Sequence, residues 1–330
     1  MSRVRDYYGY AAAAVFLVGL LVVAWMAVAE TWRTNFEIRS IDMGEIMSGG
    51  PPKDGIPSID APKFEAIENV SHLADTEAVV SVIINGDARA YPLQVLMWYE
   101  IVNDSVGGVP VSVTFCPLCN AAVVFDRRLD DMVLDFGTTG ILPNSDLVMY
   151  DRQTERWWQQ FVGEAIVGDL TGKTLKMIPS RLEAFAKFRG RAHGGKVLVP
   201  NEPGRRSYGA NPYTNYDSSL RPFLYRGQTP KGIAPLARVV TVESDSGGRE
   251  AWALDIVRDK KRIETSGGLV ITWETGQNSA LDSGLISEGV DVGNVVVQRK
   301  TSSGLEDVVY GVDFAFAFHA FYPESPIHTR

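Results

Sequence analysis

Residues 78–91, with the sequence AVVSVIINGDARAY, carry the clearest structural signal in the chain. The run of mostly branched residues from Ala78 to Ile84 has the composition of a strand, and the Asn85-Gly86 dipeptide after it is typical of a two-residue hairpin turn. The residues beyond the turn can return beside the first strand. The stretch therefore predicts an antiparallel hairpin.

Strand signals continue on the C-terminal side of this hairpin. The segment VPVSVTF at residues 109–115 follows a Gly-Gly turn and is rich in branched residues that suit a buried strand. Other segments with strand composition are residues 121–125, 132–136, 147–150, 196–199, 239–242, 251–257, 269–272 and 295–298. The chain is therefore expected to form a predominantly β (α+β) single globular domain.

Helix signals are fewer. A short helix is predicted at residues 93–97 after Pro92, because proline is favoured at the start of a helix. The best helix pattern covers residues 180–188, where Ser180 is a candidate N-cap and Glu183 stands at the capping-box position.

One break in composition divides the chain. Residues 48–57, SGGPPKDGIP, contain too much glycine and proline for a helix or a central strand. Residues 30–62 are accordingly predicted to form a linker and extended arm, and residues 63–330 the β-rich extracytoplasmic domain.

The N-terminal segment indicates where this domain resides. Residues 9–29 carry no charge, and as a helix they would be about 31 Å long, which matches the core of a bilayer. Arg3 and Arg5 precede the segment, so residues 1–8 are predicted to be a short cytoplasmic end, with the main domain on the extracytoplasmic side of the cell membrane. The alternative is a signal segment cleaved after Ala29, since residues 27–29 read Ala-Val-Ala.

Charge and motifs exclude several classes of function. The chain has 32 Lys and Arg against 40 Asp and Glu and no run of basic residues, so a nucleic-acid partner is not expected. It also has no phosphate loop, no dinucleotide glycine fingerprint, no Gly-x-Ser-x-Gly elbow and no His-Glu-x-x-His helix. The sequence identifies no cofactor, no substrate and no protein partner; the membrane is the one partner it indicates.

Chemistry is expected at Cys116 and Cys119, which are the two cysteines of the chain and stand at a spacing typical of redox or metal-binding pairs. Our first hypothesis is thiol-disulfide redox chemistry, with the second thiol resolving a mixed disulfide. A structural disulfide is an alternative, although a loop of four residues would stabilise the fold by only about 2 kcal/mol.

A Cys-based zinc or copper site is a third interpretation. It needs further ligands, and the four histidines are scattered at positions 72, 193, 319 and 328. Asp126 or Asp151 could complete such a site. No choice among the three interpretations follows from the spacing alone.

Several ordered blocks resemble a known prokaryotic family. They are Asp54-Gly55-Ile56-Pro57, Arg89-Ala90-Tyr91-Pro92, Glu100-Ile101-Val102-Asn103-Asp104, Cys116-Pro117-Leu118-Cys119 and Ser145-Asp146-Leu147-Val148-Met149-Tyr150-Asp151-Arg152. The set is similar to the family of domains of unknown function 3179 (DUF3179). This resemblance implies an exported or membrane-anchored protein and transfers no reaction. Tyr99 stands where related sequences commonly have histidine, and His319 where they more often have tryptophan.

Polar residues at or near the predicted strand ends are candidates for a ligand site around the sulfur pair. They are Arg89, Asp126, Arg127, Asp146, Asp151 and Arg152. We expect their side chains to converge on one concave surface. The alternative to an enzyme is a non-catalytic binding or assembly module held at the membrane.

Overall fold

The computed structural model describes residues 32–244 and 247–330. The predicted anchor at residues 9–29 lies outside them. Within the described ranges, no helix is long and apolar enough to cross a membrane.

The protein is mainly β. Its strands in chain order are β1 (Ile46–Ser48), β2 (Lys63–Ala66), β3 (Ala78–Ile84), β4 (Asp87–Pro92), β5 (Ile101–Val106), β6 (Val109–Cys116), β7 (Ala121–Asp126), β8 (Arg128–Leu129), β9 (Met132–Val133), β10 (Phe136–Thr138), β11 (Ile141–Pro143) and β12 (Val148–Asp151). They continue with β13 (Trp157–Gln159), β14 (Glu164–Val167), β15 (Arg181–Ala184), β16 (Lys196–Val199), β17 (Arg238–Glu243), β18 (Arg249–Ala253), β19 (Arg262–Glu264), β20 (Leu269–Glu274), β21 (Asn294–Thr301), β22 (Gly304–Asp307), β23 (Tyr310–Phe314) and β24 (Ile327–His328). The α-helices are α1 (Leu93–Tyr99), α2 (Phe185–Arg191), α3 (Leu254–Lys260) and α4 (Ala315–Phe321), and single 3₁₀ turns cover Met43–Glu45, Ile67–Asn69 and Ile286–Glu288.

Five sheets of three to five strands form a five-bladed, propeller-like arrangement. Their strand orders are β15-β3-β4-β16-β2, β5-β6-β7, β10-β12-β13-β14, β23-β17-β18-β24 and β19-β20-β21-β22. Two short pairs, β1-β11 and β8-β9, lie outside these five. The first sheet takes strands from distant parts of the chain, so the arrangement depends on long-range pairing.

The hairpin predicted at residues 78–91 is confirmed. Strands β3 and β4 pair in antiparallel register from Val79 opposite Pro92 to Ile84 opposite Asp87. Asn85 and Gly86 both have positive φ, which is the requirement of the tight turn that the dipeptide predicts. The short helix after Pro92 is also present, as α1.

One helix assignment and one strand assignment from the sequence need correction. Residues 181–184 form strand β15 beside β3, and helix α2 begins only at Phe185. Glu183 does not cap a helix; its carboxylate accepts hydrogen bonds from Ser81 and Arg191. The predicted strand at residues 251–257 ends at Ala253, where helix α3 begins and buries Val257.

The arm before residue 63 lies against the domain. Strand β1 pairs with β11, and the backbone of Ile59 is hydrogen-bonded to that of Ile101 and Asn103. Residues 200–237, between β16 and β17, contain no helix or strand, and part of this stretch covers the site described next.

Candidate functional site

Cys116 is the last residue of β6, and Cys119 lies in the turn that leads into β7. The turn is tight because Asn120 adopts a left-handed conformation, with φ of 52°, and its side-chain amide donates to the carbonyl of Val312 at 2.6 Å. Both cysteines are buried within the largest core cluster and are free thiols, not bridged to one another. The turn therefore presents an unbridged pair of sulfurs inside the protein.

A third potential ligand meets the pair from another sheet. Asp146 precedes β12, and one of its carboxylate oxygens and the two sulfurs all lie within 4.8 Å of one another. Both thiols also approach the carbonyl oxygen of Ser145, at 3.6 Å from Cys116 and 3.5 Å from Cys119. Asn144 and Ser145 have φ of 51° and 65°, a left-handed conformation that is uncommon outside glycine and that often occurs at functional sites.

One carboxylate oxygen of Asp146, Oδ2, is fixed by two hydrogen bonds. This oxygen accepts them from the amide of Phe161 at 3.0 Å and from the side chain of Gln159. The Oδ1 of Asp146 is buried, and hydrogen bonds from the thiols of Cys119 and Cys116 and from the Leu147 amide lower the pKa of the carboxyl group by less than burial raises it. Burial raises the pKa of Asp146 to about 8.

The surroundings of the sulfurs are apolar and acidic. Burial raises the pKa of the Cys116 thiol and raises that of Cys119 well above its ordinary value, and the charge of Asp146 adds to both shifts. Among the described residues, no lysine or arginine is hydrogen-bonded to either sulfur or to Asp146. Hydrogen bonds from the side chain and the backbone of Cys119 lower the pKa of Cys116, but burial outweighs them, so in the protein alone the thiol form is favoured.

Glu100 is a fourth acidic group at the site. It follows helix α1 in a left-handed conformation, with φ of 57°, and its backbone is bonded to Leu96 on one side and to Phe115 on the other. Its side chain is nine-tenths buried and makes no hydrogen bond within the described residues. Burial raises the pKa of Glu100 to about 7, and its charge contributes to the raised pKa of Cys116.

A cavity of about 160 Å³ lies in front of Cys116. Its walls are mostly apolar, and Glu100 and Tyr213 supply polar groups to it. The outer wall is formed by part of the irregular stretch between β16 and β17, which we call the covering segment, residues 208–225. The covering segment is attached to the site, because the Tyr216 hydroxyl donates to the carbonyl of Leu118 at 3.0 Å and the Ser145 hydroxyl donates to that of Phe223.

Of the six residues predicted to surround the sulfurs, Asp146 is placed beside them. The other five bond to different partners: Arg89 to Asp87 and Asp104, Asp126 to Arg128, Arg127 to Asp135, Asp151 to Thr154 and Trp158, and Arg152 to Ser58 and Asp60. These are mostly ion pairs and hydrogen bonds that connect loops to strands.

Glu100 and Tyr213 are not among the six residues predicted to surround the sulfurs. Glu100 belongs to one of the sequence blocks quoted above, which is the signal that could have identified it. Tyr213 lies in a stretch without periodicity, and no feature of the sequence places it near Cys116.

Comparison with known proteins agrees with the sequence blocks. No curated protein and no solved structure matches the chain. Residues 53–325 match a protein family, and this range includes Glu100, Cys116, Cys119, Asp146 and Tyr213. The chain therefore belongs to the family described as protein of unknown function (DUF3179).

Proposed function

We propose that the domain binds a zinc ion through Cys116, Cys119 and Asp146. The observation that carries the proposal is the grouping of two free thiols with a carboxylate oxygen of the buried Asp146, all within 4.8 Å of one another. The groups that contact this carboxyl group are thiols, backbone amides and the neutral side-chain amide of Gln159, and a cation is the partner that would satisfy the carboxylate together with both sulfurs.

The electrostatics of the site support a bound cation. Cys116, Cys119 and Asp146 all have pKa values raised first by burial, so without a cation they retain their protons at neutral pH. A metal ion that binds these three groups displaces their protons, and its positive charge balances the negative charge that they acquire. Among the described residues, no arginine or lysine is hydrogen-bonded to these groups, so no side chain supplies the positive charge that a cation would.

The ligand types favour zinc over copper. Two thiolates suit either Zn(II) or Cu(I), but a carboxylate oxygen is a harder ligand that zinc accepts readily. Three protein ligands also leave the fourth position of a tetrahedral zinc site open, which is typical of catalytic rather than structural zinc. We propose that this position faces the cavity, which Cys116 lines and which has room for a small molecule.

Metal analysis of the purified full-length protein tests this proposal. We expect about one zinc per chain in the wild type and a large loss in Cys116→Ser, Cys119→Ser and Asp146→Asn. Asp313→Asn is the matched control, because Asp313 is another buried aspartate with a raised pKa, in strand β23. Equal zinc content in all five proteins, or none in the wild type after zinc is supplied, would refute the site.

Thiol-disulfide exchange is a second candidate function, and the observation that favours it is the adjacent pair of unbridged sulfurs. Burial argues against it, because a raised thiol pKa lowers the fraction of reactive thiolate. Cys119→Ser distinguishes the two functions: an exchange enzyme accumulates a mixed disulfide through Cys116, whereas a zinc protein loses its metal and traps nothing.

We further propose that the domain works outside the cytoplasm, attached to the cell membrane by residues 9–29. The uncharged segment and the arginines before it support this location. A C-terminal reporter that is active only outside the cytoplasm tests the proposal, and an inactive reporter on a stable fusion would contradict it.

A further inference from the structure

We propose that the cavity in front of Cys116 binds a small acyl compound for hydrolysis, with Glu100 as the proton acceptor and Tyr213 as the hydrogen-bond donor. This inference rests on the zinc site proposed above and assigns that site a substrate class. It is carried by the placement of two polar side chains that otherwise have no partner in the described structure.

Glu100 is fixed in position by its backbone. Its amide donates to the carbonyl of Leu96 at 2.8 Å, and its own carbonyl accepts from the amide of Phe115, one residue before Cys116, at 2.9 Å. The left-handed conformation of a non-glycine residue directly after a helix costs free energy, and so does burial of a carboxyl group that makes no hydrogen bond. Both costs occur in a residue that lines the cavity, which indicates that the carboxyl group serves a ligand.

Tyr213 faces the same cavity from the covering segment. Its amide donates to the side chain of Asn211 at 2.7 Å and its carbonyl accepts from Tyr216 at 3.0 Å, so its backbone is held. Its hydroxyl makes no hydrogen bond within the residues described. Burial and then the charge of Glu100 raise the pKa of Tyr213, so the phenol keeps its proton and can donate it in a hydrogen bond.

The lining and volume of the cavity limit the size and polarity of the ligand. Leu118, Ile141, Leu142 and Leu147 are among the apolar residues that line it, and its volume of about 160 Å³ is below that of pockets for drug-sized molecules. A small compound with a polar head and a short apolar tail fits this lining. Its head can meet Glu100, Tyr213 and the side of the ligand set that Cys116 presents, and its tail can contact the apolar side chains.

This arrangement would allow water to hydrolyse an acyl compound, with Glu100 moving one proton from the water to the leaving group. A zinc ion held by Cys116, Cys119 and Asp146 would lower the pKa of a nearby water molecule. Glu100 would take one proton from this water, whose oxygen forms a bond to the acyl carbon. The acyl oxygen, which gains negative charge, accepts a hydrogen bond from Tyr213. The bond to the leaving group then breaks and that group takes the proton from Glu100, so that an acid and an alcohol or amine are formed.

Acetohydroxamate is a suitable probe, because it is small, binds metals and carries N–H and O–H donors for Glu100. The full-length protein is loaded with Co(II) in place of zinc, and its visible spectrum is recorded during titration with acetohydroxamate. We expect the spectrum to change with saturable binding. Glu100→Gln replaces a charged acceptor with a neutral amide, and Tyr213→Phe removes a hydroxyl donor, so each should weaken binding roughly tenfold.

Two matched controls separate this effect from general damage. Glu77→Gln changes another buried glutamate with a raised pKa, and Tyr310→Phe removes the hydroxyl of a buried tyrosine in strand β23 that donates to the carbonyl of Val295. Both should bind acetohydroxamate as the wild type does. Cobalt binding without a response to the probe, or equal affinity in Glu100→Gln and Tyr213→Phe, would overturn the acyl site while the metal site stands. Absence of cobalt binding would overturn both.

Discussion

The sulfur of Cys116 lies within 4.8 Å of a carboxylate oxygen of Asp146, although the two residues are contributed by different sheets. One ends β6, and the other precedes β12. The two parts are joined near the site, because the side chain of Gln160 donates to the hydroxyl of Thr114 at 2.8 Å. Formation of the ligand set therefore requires the sheets to have packed together, and metal binding should stabilise that packing.

Removal of metal should accordingly lower the stability of the wild-type protein. A ligand present at one hundred to one thousand times its dissociation constant stabilises the folded state by roughly 3 to 4 kcal/mol. We expect a strong chelator to lower Tm in the wild type by several degrees and to have little effect on Cys116→Ser or Asp146→Asn. A chelator response of equal size in these variants would show that any stabilising metal binds elsewhere.

One hydrogen bond that attaches the covering segment to the site is donated by the Ser145 hydroxyl. Ser145→Ala removes the hydrogen bond to the carbonyl of Phe223 and leaves the Ser145 backbone carbonyl in place beside the sulfurs. We expect faster hydrogen exchange in residues 219–225 with an unchanged metal content. Thr139→Ala, which removes a hydroxyl bonded to the carbonyl of Val148, should leave exchange in the covering segment as it is. Unchanged exchange in Ser145→Ala would mean that the remaining contacts of the segment suffice.

The sequence predicted those features that depend on local chemistry. Asn85-Gly86 specifies its turn through positive φ at two adjacent residues, and the Cys-Pro-Leu-Cys spacing places two sulfurs in one turn whatever the rest of the chain does. Features that depend on distant partners could not be predicted in this way. Glu183 matches a capping box locally, but pairing of β15 with β3 and the ion pair with Arg191 determine its conformation.

The site shows the same division. Asp146 was a candidate because it stands near a predicted strand end, as did five other residues, and spacing alone could not separate it from them. Contact between Tyr213 and the cavity depends on how an irregular stretch folds over the domain, which has no periodic signal. The grouping of the five sheets likewise results from pairings between distant segments.

Asp313 should make the stability of the protein depend on pH. Burial raises its pKa from 3.8 to about 7, while Thr241 and Arg249 lower it to a smaller extent. The folded state then keeps a proton that the unfolded state releases, so the contribution to stability is full below pH 4 and is lost as the pH rises to about 7. The loss is on the order of 4 kcal/mol at most.

Asp313→Asn should remove this contribution to the pH dependence. We expect the free energy of unfolding, measured with urea at pH 5 and at pH 8 after removal of metal, to fall less in the variant than in the wild type. Glu306→Gln, an exposed position on β22, should behave as the wild type does. Identical pH dependence in Asp313→Asn and the wild type would show that the carboxyl group is ionised in the folded protein.

Arg89 should matter for stability and not for metal binding. Its guanidinium donates to both carboxylate oxygens of Asp104 at 2.7 Å, and Asp104 also accepts from the hydroxyl of Tyr91 at 2.6 Å. Asp104 is buried, so Arg89→Met would leave it without its main counter-charge. Removal of one partner from a buried pair costs about 3 to 5 kcal/mol.

Urea unfolding together with zinc analysis separates this structural role from a role at the site. We expect Arg89→Met to be less stable by several kcal/mol and to retain its zinc, and the double variant Arg89→Met, Asp104→Asn to regain part of the loss because no buried charge is left unpaired. Loss of zinc at unchanged stability would instead place Arg89 near the sulfur pair, where the sequence predicted it.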